Sequence, residues 1–107
     1  MCEFNKSVFV QGLEFIKHDF TRERIAGLTL YCFNPEDLSA LKIMENLVSA
    51  QTQYPEYKYY FGFTSAWITY KYLKEQNALE IDLNKCEEIY TRQWKFIIES
   101  REQRELP

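Results

Sequence analysis

The sequence predicts an all-α fold, one irregular bundle of four to five helices forming a single domain over residues 1–107. Glycine and proline number only three each in 107 residues, so little interrupts regular structure. Apolar residues recur at steps of three and four over long windows, the period of one helix face. Eight Tyr, eight Phe and two Trp make up 17% of the chain, enough bulk to fill the core of a domain this size.

Taken in chain order, Ser7 is placed to cap a first helix on which Phe9, Leu13, Ile16 and Phe20 share a face. Asp19 or Thr21 can open a second helix through Ile25, Leu28 and Cys32. Gly27 costs about 1 kcal/mol there relative to Ala, and Leu28–Phe33 also suits a strand. A third helix is expected from Asn34-Pro35-Glu36-Asp37, with Asn34 as cap, Pro35 at the first position and two acids against the positive end of the helix dipole. Leu38, Leu41, Met44, Leu47 and Val48 form its expected buried face through Ala50, and Tyr54-Pro55 ends it, because the residue before proline avoids the helical region.

The stretch from Tyr54 to Phe63 reads two ways. Tyr57, Tyr59, Phe61 and Phe63 alternate with Lys58, Tyr60 and Gly62, the period of a strand, which gives a small β element near residues 57–63. A lone strand is not viable, so this element needs Leu28–Phe33 or Leu79–Leu83 as partner. The competing reading is an irregular aromatic loop leading into a helix capped at Thr64 and running from Ser65 to Gln76. The last helix is the clearest: Asp82 is a good N-cap, and Leu83 to Arg104 contains neither Gly nor Pro. Leu83, Cys86, Tyr90, Trp94 and Ile97 fall on one stripe, widened by Ile89, Phe96 and Ile98. Glu87, Glu88, Arg92, Lys95, Glu99 and Glu102 make the solvated face, and the polar end from Ser100 is expected to fray.

Composition excludes several functions. The formal charge is −3, and no segment carries a basic block of the kind that draws a domain to a phosphate backbone. Cys2, Cys32 and Cys86 lie far apart without a C-x-x-C pair, which suggests free thiols in a reducing compartment. No apolar run approaches the roughly 20 residues of a membrane span, and the first residues lack the apolar region of a secretory signal. A cytoplasmic protein without membrane contact is the expectation.

Catalytic chemistry is sparse. His18 is the sole histidine, so a nucleophile-and-base device would have to pair it with Cys32 or Cys86, with no elbow or Gly-rich oxyanion turn beside them. Glu14 and His18 are four apart, but neither a second such pair nor a tight cysteine spacing accompanies them, so no metal site is expected. The acidic pairs Glu36–Asp37 and Glu87–Glu88 point apart on a helix and serve capping and solubility. Phosphate-cradling glycine motifs are missing. No cofactor is expected, and an enzyme working through His18 is the third of three readings.

The feature left over is aromatic. Nine aromatics occupy the nineteen positions from Tyr54 to Tyr72, and most are expected to serve the core, with tyrosine hydroxyls at its wet edge. Surplus tyrosines anchor protein interfaces, so Tyr54, Tyr57, Tyr60 and Tyr72, with Lys58 and Lys71 beside them, are the candidate partner-binding residues. The first reading is thus a small protein-binding module, of the inhibitor, immunity-type or adaptor kind, acting through an aromatic surface. The second is single-stranded nucleic acid stacked on these rings beside Lys58, Lys71 and Lys74, which the acidic balance disfavours. Self-association into a homodimer is compatible with all three.

Overall fold

The computed structural model describes residues 4–33 and 39–105, and within them the chain is all-α. It forms α1 (Lys6–Phe15), α2 (Arg22–Tyr31), α3 (Ala40–Gln53), a 3₁₀ turn (Pro55–Tyr57), α4 (Lys58–Glu75) and α5 (Glu80–Glu105). No strand occurs among the described residues, and residues 57–63, where a small β element was expected, are helical. The opening Asn34–Asp37 of the expected third helix, with Leu38, lies outside the described residues.

Caps explain where the early helices begin. Asn5, not Ser7, starts α1, its Oδ1 accepting from the Val8 amide at 3.1 Å. Thr21 starts α2 by accepting from the Arg24 amide at 3.2 Å, so Leu28–Leu30 lie in a helix and not a strand. Ser39 does the same for α3 through the Lys42 amide. The last helix begins before Asp82, because the Asp82 and Leu83 amides already donate to the Leu79 carbonyl. Asp82 therefore sits in the first turn, where an acid favours the dipole. At the far end α5 runs on to Glu105 instead of fraying from Ser100.

The architecture is organised by α4. Helices α2, α3 and α5 all pack on it, and α1 packs on α2. A helix projects successive side chains at 100° steps, so consecutive aromatics of α4 enter different neighbours. Tyr59 meets Phe96 of α5, Tyr60 meets Phe9 of α1, Phe61 meets Phe4 and Phe33, and Phe63 meets Tyr90 and Trp94 of α5. A strand would offer the same rings only two faces, which is the physical reason the alternating pattern does not become one. Phe9, Phe61, Phe63, Ile25, Leu47 and Ile97 are fully buried, each contributing about 1.5–3 kcal/mol by removal from water.

Two joints fix the crossings. At Gly12 an added Cβ would lie 2.3 Å from Leu28 Cδ1, so α1 and α2 cross closely there. Between α4 and α5 the chain turns through Asn77, whose φ of 56° is left-handed. The Asn77 amide donates to the Lys74 carbonyl and the Ala78 amide to the Leu73 carbonyl, the paired bonds of a Schellman stop.

Candidate functional site

The structure divides the six sequence-chosen residues. Tyr57 and Tyr60 are core residues, each 7% exposed, stacked edge-on against Phe9 at 5.0 and 5.3 Å. They were expected as exposed anchors; burial leaves each only an edge at the surface, because the 3₁₀ turn and the first turn of α4 aim them under α1. Tyr54 is half-buried, with its hydroxyl donating to the Phe4 carbonyl at 3.4 Å. Lys58 and Lys71 are exposed, and their ammonium groups lie over the Tyr59 and Trp67 rings at 5.2 and 5.1 Å. Lys74 covers Tyr70 in the same way. Rings so covered offer less open area for a stacking base. Tyr72 is 52% exposed and, of the four tyrosines chosen, presents the most open ring.

Two residues that the sequence reading assigned to the core are exposed as well. On α3 burial falls on Leu47 and Ala50, while Leu41 is 72% and Val48 60% exposed. The geometry locates these two. Met44 Sδ lies 3.9 Å from the Thr69 hydroxyl of α4, and a Cβ on Gly62 would lie 3.3 Å from Gln51 Nε2 and 3.2 Å from Gln93 Oε1. Leu41 and Val48 stand three and four residues from Met44, on the same flank of α3. Leu41 and Val48 thus form an exposed apolar flank of α3, while Tyr72 on α4 and Ile89, 48% exposed, on α5 are exposed on their own helices.

A concavity lies between α1 and the start of α4. It encloses about 540 Å³. Val10, Leu13 and Phe20 give it an apolar wall, Tyr57 and Tyr60 the floor, and Glu14, Lys17, His18 and Arg101 its polar lining. The Lys17 ammonium bonds Glu14 at 2.7 Å, and that hydrogen bond, more than the adjacent His18, holds the Glu14 carboxyl below its usual range. Arg101 of α5 donates to the Lys17 carbonyl, and its guanidinium lies 4.2 Å from the Phe20 ring centre. Sequence reasoning had no signal for this cleft, since Arg101 and Lys17 are 84 positions apart.

His18 is therefore next to Glu14, and neither Cys32 nor Cys86 lines its cleft. Cys32 is buried, which pushes its thiol up to about 11, away from the thiolate that nucleophilic chemistry uses. Cys86 is half-buried and raised in the same sense. Among the described residues no three His, Cys, Asp or Glu side chains gather to hold an ion, and no helix is long and apolar enough to cross a membrane. Comparison with known proteins finds no family model, no curated relative and no solved structure that matches the chain. The fold defines an α-helical bundle packed around one central helix, α4.

Proposed function

We infer that this protein is a protein-binding module, and that its partner packs on the exposed apolar flank of α3. The observation that carries the reading is the exposure of Leu41 and Val48, which share one stripe of α3 with Met44. Large apolar side chains left open to water at helical spacing are what an amphipathic partner helix packs against. Tyr72 serves as the aromatic anchor, with Lys71 beside it. An inhibitor or adaptor role follows from small size and one-sided docking, and the interior location of Tyr57 and Tyr60 moves the contact surface from the early part of the aromatic stretch to its end.

The test is differential capture. Wild type and the pair Leu41→Arg and Tyr72→Ala are compared in recovering a stoichiometric partner from host lysate treated with nuclease, with thermal unfolding followed alongside. Both residues are more than half exposed, so folding should be unchanged while affinity falls by more than about tenfold, the loss expected of interface anchors. A partner recovered equally by wild type and both variants would overturn the choice of surface. Recovery that disappears with nuclease would overturn the protein-binding reading itself.

A further inference from the structure

Several cations of this chain pair with carboxylates, among them Lys6 with Glu56, Arg24 with Asp19 and Lys95 with Glu99. Three others gather instead on one network of rings. The Arg22 guanidinium, from the first turn of α2, lies 5.8 Å from the centre of the Tyr90 ring and 6.0 Å from that of Trp94, both on α5. On α4, Lys71 lies over Trp67 and Lys74 over Tyr70. Both of those rings stand edge-on to Tyr90, at 5.1 and 5.5 Å. Three helices thus bring three positive charges around one buried tyrosine, in a chain whose net charge is −3.

None of the three forms an ion pair or a side-chain hydrogen bond among the described residues. Arg22 is half-buried, so its guanidinium donors are partly withdrawn from water without a protein acceptor. Burial and then Glu87 hold the Tyr90 hydroxyl above its usual range, and Arg22 opposes them; Glu87 itself pairs with none of the three cations, and neither does Glu75 beside Lys74. A ring attracts a cation without neutralising it. The contact contributes about 0.5–1 kcal/mol at an exposed site, and the charge stays open to an anion on its outer side. By restricting where the side chain points, the ring also lowers the ordering cost of binding.

These features choose among anions. Charges held on separate rings suit several carboxylates on one chain better than a single small anion. A nucleic-acid strand needs open ring faces for its bases, whereas Trp67 and Tyr70 are each covered by a lysine and Tyr90 is buried. We propose that Arg22, Lys71 and Lys74 form a receptor face for an acidic segment of a partner protein, its carboxylates lying across the rings of Trp67, Tyr70 and Tyr90. This face needs neither Leu41 nor Val48, so it stands apart from the flank of α3.

The experiment is an NMR titration of the whole chain with a peptide of about ten glutamates, long enough at ~3.3 Å per residue to cross the face. The chain has two tryptophans, and both belong to the network, so their indole N–H resonances report on it. The peptide should shift both saturably at low salt and bind at least about tenfold more weakly at roughly 0.5 M salt. Lys71→Gln combined with Lys74→Gln, at exposed positions, should weaken it by about fivefold or more without changing Tm, and Arg22→Gln by about threefold. Lys95→Gln removes the same charge from the paired, solvated side of α5 and should change affinity less than about twofold. Equal loss with Lys95→Gln, equal affinity for an oligolysine, tighter binding of an oligothymidylate of the same charge, or no saturable indole shift would each overturn the proposal.

Discussion

Thr64 gives the sharpest test of how α4 is packed. Its side chain is fully buried in the interior of α4, and its Oγ1 has no hydrogen-bond partner among the described residues. Thr29 on α2 is equally buried, but its hydroxyl donates to the Ile25 carbonyl at 2.7 Å. Valine keeps the branched shape of threonine and exchanges the hydroxyl for a methyl, so helix propensity scarcely changes. A buried hydroxyl without a partner costs about 1–3 kcal/mol, whereas one bonded hydroxyl contributes about 0.5–1.5 kcal/mol net. Thr64→Val should therefore stabilise the protein by about 1 kcal/mol and Thr29→Val should destabilise it by about 0.5–1 kcal/mol. In a domain of this size the difference is roughly 6–10 °C in Tm, and urea unfolding of both variants reads it independently with unchanged m-values. If Thr64→Val proves as damaging as Thr29→Val, the Thr64 hydroxyl has a partner, such as an ordered water, and the packing argument fails.

Further outcomes follow from the joints and from Cys32. Gly27→Ala should raise stability by about 1 kcal/mol, since an exposed helix interior gains propensity and the added Cβ meets nothing within 4 Å; Gly12→Ala gains the same propensity but must displace the half-buried Leu28 side chain, so it should end below Gly27→Ala by about 1 kcal/mol or more, both read by denaturant melts. At the α4–α5 turn, Asn77→Gly should keep or raise Tm while Asn77→Ala costs about 1–2 kcal/mol, because only the latter is strained in the left-handed region. The Cys32 thiol is raised from 9.0 to about 11 by burial, so the stability it contributes is complete below pH 9 and is lost as pH climbs toward 11. Comparing wild type with Cys32→Ala across that window should isolate this slope, and a thiol reagent applied to the native protein should label Cys86 before Cys32.

What the sequence made legible depended on how many sides of each helix are covered. α5 has one packed face, and its stripe of Leu83, Cys86, Tyr90, Trp94 and Ile97 is half-buried or buried as the spacing predicts. The break at Tyr54-Pro55 is likewise where α3 ends. α4 is packed by neighbours on several sides, so apolar residues occur at nearly every position and no single period stands out; its first turns could be taken for a strand. On α3, Leu41, Met44 and Val48 make a regular stripe, yet the neighbours lie toward Leu47 and Ala50, and a stripe alone does not say which flank is covered. That ambiguity concealed the exposure of Leu41 and Val48, whereas that of Tyr72 was legible. The cleft was not, because it is built by residues from α1, α4 and α5 that only the tertiary fold assembles.

The central position of α4 has a consequence for how the protein is made. Phe4, Phe9, Ile25 and Phe33 belong to the first third of the chain, and the core they enter contains Tyr57, Tyr60 and Phe61. At about 5–20 residues per second of synthesis, α1 and α2 leave the ribosome roughly 2–8 s before the end of α4 exists to receive them. During that interval the N-terminal hairpin leaves much of its phenylalanine surface in water, joined by its own contacts: Gly12 against Leu28, Phe4 against Phe33, and the Asn5 amide on the Cys32 carbonyl. The nascent chain is therefore most open to chaperones and to aggregation while α4 is still being made, and that exposure ends when α4 emerges.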